Sequence, residues 1–237
     1  MSRGATRAPR TPVPYESAAE AQRVLAGARA GGRIGDTLWL LEHPPTVTWG
    51  AAARPLAHGE PSGAEHLLVA RAELARRGVA AVESERGGGI TFHEPGQLVG
   101  YPIVDLGGPG GRDLHDYLRR VEEGLIALLA GIGIAGTRIA GRTGIWIPGE
   151  PPRKIAAIGV KARRWVTSHG FALNIENALE GFGWIVPCGI RDAGVTSIAR
   201  ELAGRSPPGW SEIEDRAHRA LEASLGRPLS LVRGAAG

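Results

Sequence analysis

Cys188 is the only thiol in the chain and sits in the run Val186-Pro187-Cys188-Gly189-Ile190. A lone cysteine is commonly a small buried hydrophobe. The flanking proline and glycine instead suggest a turn, where a thiol is reachable and neighbouring N–H groups can face a developing oxyanion. A free thiol titrates at about 8.5 and needs a nearby cation or base to act as a thiolate at neutral pH. Lysine can fill either role, because burial and neighbours tune its ammonium towards about 7–8, which arginine does not allow. Of 28 basic residues only Lys154 and Lys161 are lysines. They stand seven apart in what reads as one strand, so regular alternation places them on opposite faces. Lys154 leads into the apolar run Ile155-Ala156-Ala157-Ile158, whereas Lys161 adjoins Arg163 and Arg164. Lys154 is the expected proton shuttle and Lys161 a solvated cation.

Two further segments carry chemistry-bearing residues. Arg86-Gly87-Gly88-Gly89-Ile90-Thr91-Phe92-His93 has three consecutive glycines between an arginine and a histidine. Such a loop lets backbone N–H groups approach a ligand closely, or simply turns a hairpin. No Lys-Ser/Thr follows it, so it is not a Walker loop, and the strand expected after it is unlike a dinucleotide fingerprint. Ser168-His169-Gly170-Phe171-Ala172 places a His-Gly step at a strand entrance, either lining a pocket or turning a hairpin corner. The remaining histidines show no metal-ligand spacing.

These segments need a scaffold of strands and helices. Strand-like stretches cover residues 37–42, 46–49, 79–83, 98–104, 144–147, 154–163 and 171–175. Three Ser-x-x-Glu boxes, at Ser17–Glu20, Ser62–Glu65 and Ser211–Glu214, read as helix starts. The first helix should run to about Arg29, the second through Leu67, Leu68 and Leu74 to a stop at Gly78, and the third to Gly226. A further helix should start near Asp113, with Leu114, Tyr117, Leu118, Val121, Leu125 and Leu128 at helical spacing. Short links between strands and interspersed helices imply an α+β fold with a mixed, largely antiparallel sheet. Residues 1–14 are Arg- and Pro-rich and read as a disordered tail, with a single domain over 15–237.

Composition narrows the classes. One cysteine excludes an intramolecular disulfide and thiolate-built metal sites. With 43% hydrophobic and 22% charged residues the chain is globular. Its apolar runs fall short of the roughly 18 residues that span a bilayer. The start lacks an apolar signal core, so a cytoplasmic setting without membrane contact is expected. The net charge of +4 favours acidic partners, but no basic run or aromatic–basic interleaving marks nucleic-acid binding.

In order, Glu42-His43-Pro44-Pro45 with Thr48-x-Gly50, Arg86-Gly87-Gly88 with Thr91-Phe92-His93-x-Pro95-Gly96-Gln97, Gly100-Tyr101-Pro102, Lys154-Ile155-Ala156-x-x-Gly159, His169-Gly170-x-Ala172-Leu173-Asn174, Pro187-Cys188-Gly189 and Gly194-Val195-Thr196-Ser197 resemble the lipoyl(octanoyl) transferase family. The match runs from about Glu42 to Ile198. The resemblance implies a biotin/lipoate ligase-like catalytic fold. It implies transfer of an octanoyl group from octanoyl-acyl carrier protein, without cofactor or metal, to a lysine of lipoyl domains of 2-oxoacid dehydrogenases and of glycine cleavage H protein. It also implies Cys188 as acyl-carrying nucleophile and Lys154 as its partner. Arg86, Gly87, Gly88, Gly89, Ile90, Thr91, Phe92 and His93 would line the acyl site, with Ala157, Ile158 and Gly159 and with His169, Gly170, Phe171 and Ala172. Backbone N–H groups of Gly87–Gly89, Gly159 or Gly170 would face the oxyanion. Three positions depart from the pattern: Glu94 where glycine is usual, Gly89 where Lys or Gln is common, and Ala51 where arginine is usual. Glu94 would either lower affinity for an apolar chain or point to solvent. The alternatives are an ATP-dependent lipoate-protein ligase on the same fold and a carrier-binding homologue disabled by Glu94.

Overall fold

The computed structural model describes residues 11–53, 66–107, 112–186 and 192–234. Its larger sheet holds β1 (Thr37–Leu41), β5 (Gln97–Ile103), β6 (Thr137–Ile139), β7 (Arg142–Ile147), β8 (Arg153–Arg163), β9 (Val166–Asn174), β10 (Gly194–Val195) and β11 (Ser230–Arg233). The order is β11-β1-β5-β9-β8-β7-β6, with β10 beside β8. Pairings with β10 and β11 are parallel and the others antiparallel, as the α+β reading expects. A smaller sheet, β3 (Ala80–Glu83), β2 (Thr46–Trp49) and β4 (Ile90–His93), lies apart from it in hydrogen bonding.

Each face of the larger sheet has its own cover. Helices α3 (Leu114–Ala130) and α5 (Trp210–Leu225) bury Val121, Leu125, Leu128, Ile213, Ala217 and Leu221 against Leu38, Leu40, Ile155, Ala156 and Leu173. Each of the valine, leucine and isoleucine side chains contributes about 1.5–3 kcal/mol. On the other face α1 (Tyr15–Ala30) covers Trp39, Leu41, Tyr101 and Ile103. Strand β1 is thus buried on both sides, which explains why Thr-Leu-Trp-Leu-Leu shows no polar alternation. The smaller sheet closes a further core with α2 (Arg71–Arg76) and a 3-10 turn at Glu180–Trp184.

Helix starts differ from two of the capping-box expectations. Asp113 does cap α3, accepting from the N–H groups of His115 and Asp116 at 2.8 and 3.0 Å. Helix α1 instead begins at Tyr15 after Pro14, and α5 at Trp210 after Gly209, so Ser17 and Ser211 lie inside their helices. Tertiary contact wins at α1, where Tyr15 is buried and its hydroxyl meets Ser84 Oγ at 2.7 Å. Ser62–Glu65 lies outside the described residues. Leu67 and Leu68 are not helical; Leu67 bridges Ile185 and the Leu68 N–H donates to Trp184 O. Gly78, at φ +70, does follow α2. Nor does the expected tail reach residue 14. Val13 is buried, its N–H donates to Glu42 O, and its carbonyl accepts from His43. Strand β11 carries no clear sequence signal and is fixed by parallel pairing with β1.

Candidate active site

A break in strand alternation places Lys154. Ile145 of β7 opposes Ala156 of β8, but Trp146 opposes Lys154, so Ile155 is an extra residue. Ile155 and Ala156 consequently both enter the core, while Lys154 and Ala157 both border a cleft on the opposite face. Beyond the bulge Ala157, Gly159 and Lys161 alternate regularly onto that same face. The two lysines therefore share a face, contrary to the expectation from spacing. What separates them is distance along β8. Lys161 Nζ meets Glu85 Oε2 at 2.6 Å on the surface, whereas Lys154 is 8% exposed with Nζ 4.6 Å from the Trp146 ring centre.

The cleft has two adjoining lobes of about 30 and about 40 Å³ that share Thr91, Lys154, Ala157 and Ala172. The first adds Trp146, Asn174, Phe182 and Ala193 through Val195. The second adds Arg86, Gly88, His93, Gly159, His169 and Gly170, with Tyr15, Val99 and Tyr101. Most of the expected residues therefore meet at one place. Ile158 and Phe171 border the cleft but belong with the opposite core. Ile90 and Phe92 turn away into the small-sheet core, because β4 alternates and only Thr91 and His93 face inward. Gly87 and Gly89 do not line it. The Gly87 N–H donates to Val160 O at 2.9 Å, which removes it as an oxyanion donor, and Gly89 O accepts from Gly50. Cys188 lies outside the described residues.

Tyr15, Tyr101, Gln97 and Asn174 border the cleft without having been assigned to it from sequence. Gly100-Tyr101-Pro102, Gln97 and Asn174 stood within the recognisable motifs, whereas Tyr15 carried no local signal.

A hydrogen-bonded chain fixes the polar wall. Thr196 O accepts from Asn174 Nδ2, Asn174 Oδ1 accepts from Gln97 Nε2, and Gln97 Oε1 faces His93 Nδ1 at 2.8 Å. The carbonyl at one end thereby orients both amides and leaves His93 protonated on Nδ1. His43 likewise donates Nδ1–H to Val13 O and accepts from the Tyr101 hydroxyl, each at 2.6 Å. Arg86 is buried and donates to Thr48 O and Oγ1 and to Gly87 O. Burial holds His43 and His169 down to about 4, and His93 well below its ordinary value; neighbouring positive charge adds to the effect at His93 and His169. All three imidazoles are neutral at neutral pH.

Glu94 neither enters the cleft nor points free into solvent. Its Oε1 accepts from Asn177 Nδ2 at 3.0 Å and from the Leu179 N–H at 2.9 Å. Leu179 has φ +70 and leads into the 3-10 turn ahead of Ile185, so the carboxylate fastens a strained corner. The other two departures fall on closed backbone: Gly89 O accepts from Gly50, and the Ala51 N–H donates to Arg86 O.

Comparison with known proteins decides the family. Residues 14–222 match the lipoyl protein ligase A/B catalytic domain. The chain belongs to that family. It is 52% identical over 205 residues to a protein of Chloroflexus aggregans named octanoyltransferase, covering 86% of this chain and 87% of that one. It is 50% identical over 193 residues to a Mycobacterium leprae protein of the same name, covering 80% and 75%. A putative lipoate protein ligase from T. acidophilum shares the fold at TM-score 0.67 and 14% identity, covering 96% of this chain and 88% of that one. A lipoate-protein ligase A solved bound with ATP does so at 0.67 and 14%, covering 94% and 86%.

Two predictions follow from the geometry around the cleft. Folded-state histidine values below about 6.5 mean that the unfolded chain binds more protons. Stability present above pH 6.5 is therefore lost as pH falls towards 4, on the order of 3 kcal/mol each for His43 and His169. Denaturant midpoints should already drop between pH 6.5 and 5, above the carboxylate range; a flat profile there contradicts neutral burial. Glu94→Ala should cost about 2 kcal/mol, and Glu94→Gln less because its amide oxygen still accepts. Equal losses in chemical denaturation would show that these hydrogen bonds are not what Glu94 contributes.

Proposed function

We propose that the protein transfers an octanoyl group to lysines of lipoyl domains through a thioester on Cys188. One observation carries the reading. Buried Lys154 borders a largely apolar lobe whose walls come from both sides of Cys188 in sequence, Phe182 before it and Ala193 through Val195 after it. Family membership and about 50% identity to proteins named octanoyltransferase support acyl transfer as the reaction. The catalytic unit is read as a single domain, expected over 15–237 and extended here to take in Val13.

In this reading Lys154 takes up the Cys188 proton. The thiolate attacks the carbonyl of octanoyl-acyl carrier protein, the carbon–sulfur bond to the carrier breaks, and the departing carrier thiolate recovers the proton. Next the acceptor lysine amine attacks the Cys188 thioester. Its carbon–sulfur bond breaks, an amide forms, and Lys154 relays the amine proton to the cysteine sulfur. Thioester to amide is downhill, so ATP is not needed, and successive use of one nucleophile gives ping-pong kinetics. The acceptors would be lipoyl domains of 2-oxoacid dehydrogenases and glycine cleavage H protein, in a cytoplasmic setting. Among the described residues no helix is long and apolar enough to cross a membrane.

Incubation with octanoyl-acyl carrier protein should give one octanoyl adduct by mass spectrometry, labile to hydroxylamine and lost in Cys188→Ala. Undiminished acylation of that variant would sink the assignment. Because guanidinium keeps charge but does not usefully release a proton, Lys154→Arg should lower transfer about 100-fold or more. Full activity would reduce Lys154 to a fixed charge. Absolute dependence on ATP would favour a ligase on this same fold.

A further inference from the structure

The cleft runs along β8 from Lys154 past Ala157 to Gly159. Ala157 and Ala172 are register partners on neighbouring strands and border both lobes, as does Thr91 of the smaller sheet, so the two methyl groups floor the waist and Thr91 completes it. At Gly159 another segment crosses. The Gly87 N–H donates to Val160 O at 2.9 Å. A Cβ on Gly159 would lie 2.7 Å from Gly87 O and 3.3 Å from Arg86 Cδ. Arg86 is in turn tied to Thr48 by its guanidinium. The next residue on this face, Lys161, already belongs to the surface with Glu85. The narrow space therefore has a reacting end at Lys154, a waist floored by two methyl side chains, and backbone bolted across its far end.

We propose that this arrangement is a gauge for acyl-chain length, with Arg86 through Gly88 as its end stop and the Ala157–Ala172 pair as its width restriction. The proposal rests on the reading of the cleft as the acyl site. With Ile155 bulged out, Lys154 to Gly159 spans four regular strand steps, about 13 Å at roughly 3.3 Å each. An extended eight-carbon chain of tetrahedral carbons is about 9 Å long, which leaves room for the thioester at the Lys154 end. Chains longer by several methylenes meet the bolted segment. Shorter chains leave apolar wall unfilled and forfeit burial.

The test is competition. Purified protein is offered equal amounts of acyl-pantetheine thioesters of four, eight and twelve carbons, and the adducts on Cys188 are compared by mass spectrometry. Ala172→Leu should lower the eight-to-four-carbon ratio about ten-fold by closing the waist, and Arg86→Ala should raise the twelve-to-eight ratio about ten-fold by loosening the stop. If Arg86→Ala does not fold, judged by thermal melting, Ala157→Leu is used beside Ala172→Leu and should lower the same eight-to-four ratio. Calorimetric binding of the free carboxylates gives a second reading. A parent that takes no adduct yet ranks the carboxylates, with the ranking displaced in these variants, overturns the thioester and supports the gauge. Unchanged ranking in folded variants, by adduct or by binding, overturns the gauge.

Discussion

Strand β8 carries one residue more than β7 opposite it, and that extra residue, Ile155, sets the facing of the strand's start. With it, two consecutive residues enter the core and Lys154 turns to the other side. Without it, Lys154 would be driven towards the packed interior beneath α3 and α5. The bulge also stands where β8 exchanges partners. Ala156 onward pairs with β9, while Arg153 and Lys154 pair with β10. The same junction thus brings the lysine beside the chain that follows Cys188.

The remaining wall is rigid because its polar groups leave each other little choice. Carbonyl oxygens at Thr196 and Val13 fix amide and imidazole orientations across β9, β5, β4 and the start of the chain. Burial then keeps the imidazoles neutral. With the imidazoles neutral, Arg86 and Lys154 are the basic side chains that border the cleft, beside the small apolar residues Ala157 and Ala172. The bolted glycine loop belongs to this design. Gly50 approaches so closely that a Cβ there would sit 2.3 Å from Gly88 O. The loop is used for backbone packing as much as for exposing N–H groups.

Neighbours on the same fold include a ligase solved with ATP, so the fold alone does not select the acyl donor. The distinguishing chemistry must come from side chains. Glu94 illustrates the converse. A residue that departs from the family pattern and sits next to a cleft histidine turns out to anchor Leu179 and Asn177 instead. Its type alone suggested interference with an apolar chain, and its hydrogen bonds show a structural part.

Sequence by itself determined the strand-rich α+β class, the helix that starts near Asp113, and the segments that meet at the cleft, because those depend on local periodicity and ordered motifs. It singled out Lys154 over Lys161 by the apolar run that follows, although the parity argument for opposite faces failed. A bulge depends on what the neighbouring strand does, and no spacing within β8 reveals it. Tertiary structure alone decided which residues of Arg86 to His93 face inward, that Tyr15 and Tyr101 complete the wall, and that β11 joins β1 across nearly the whole chain. Those outcomes rest on contacts between residues far apart in sequence, where burial of a tyrosine or pairing of an edge strand outweighs the local signal of a serine cap or a turn.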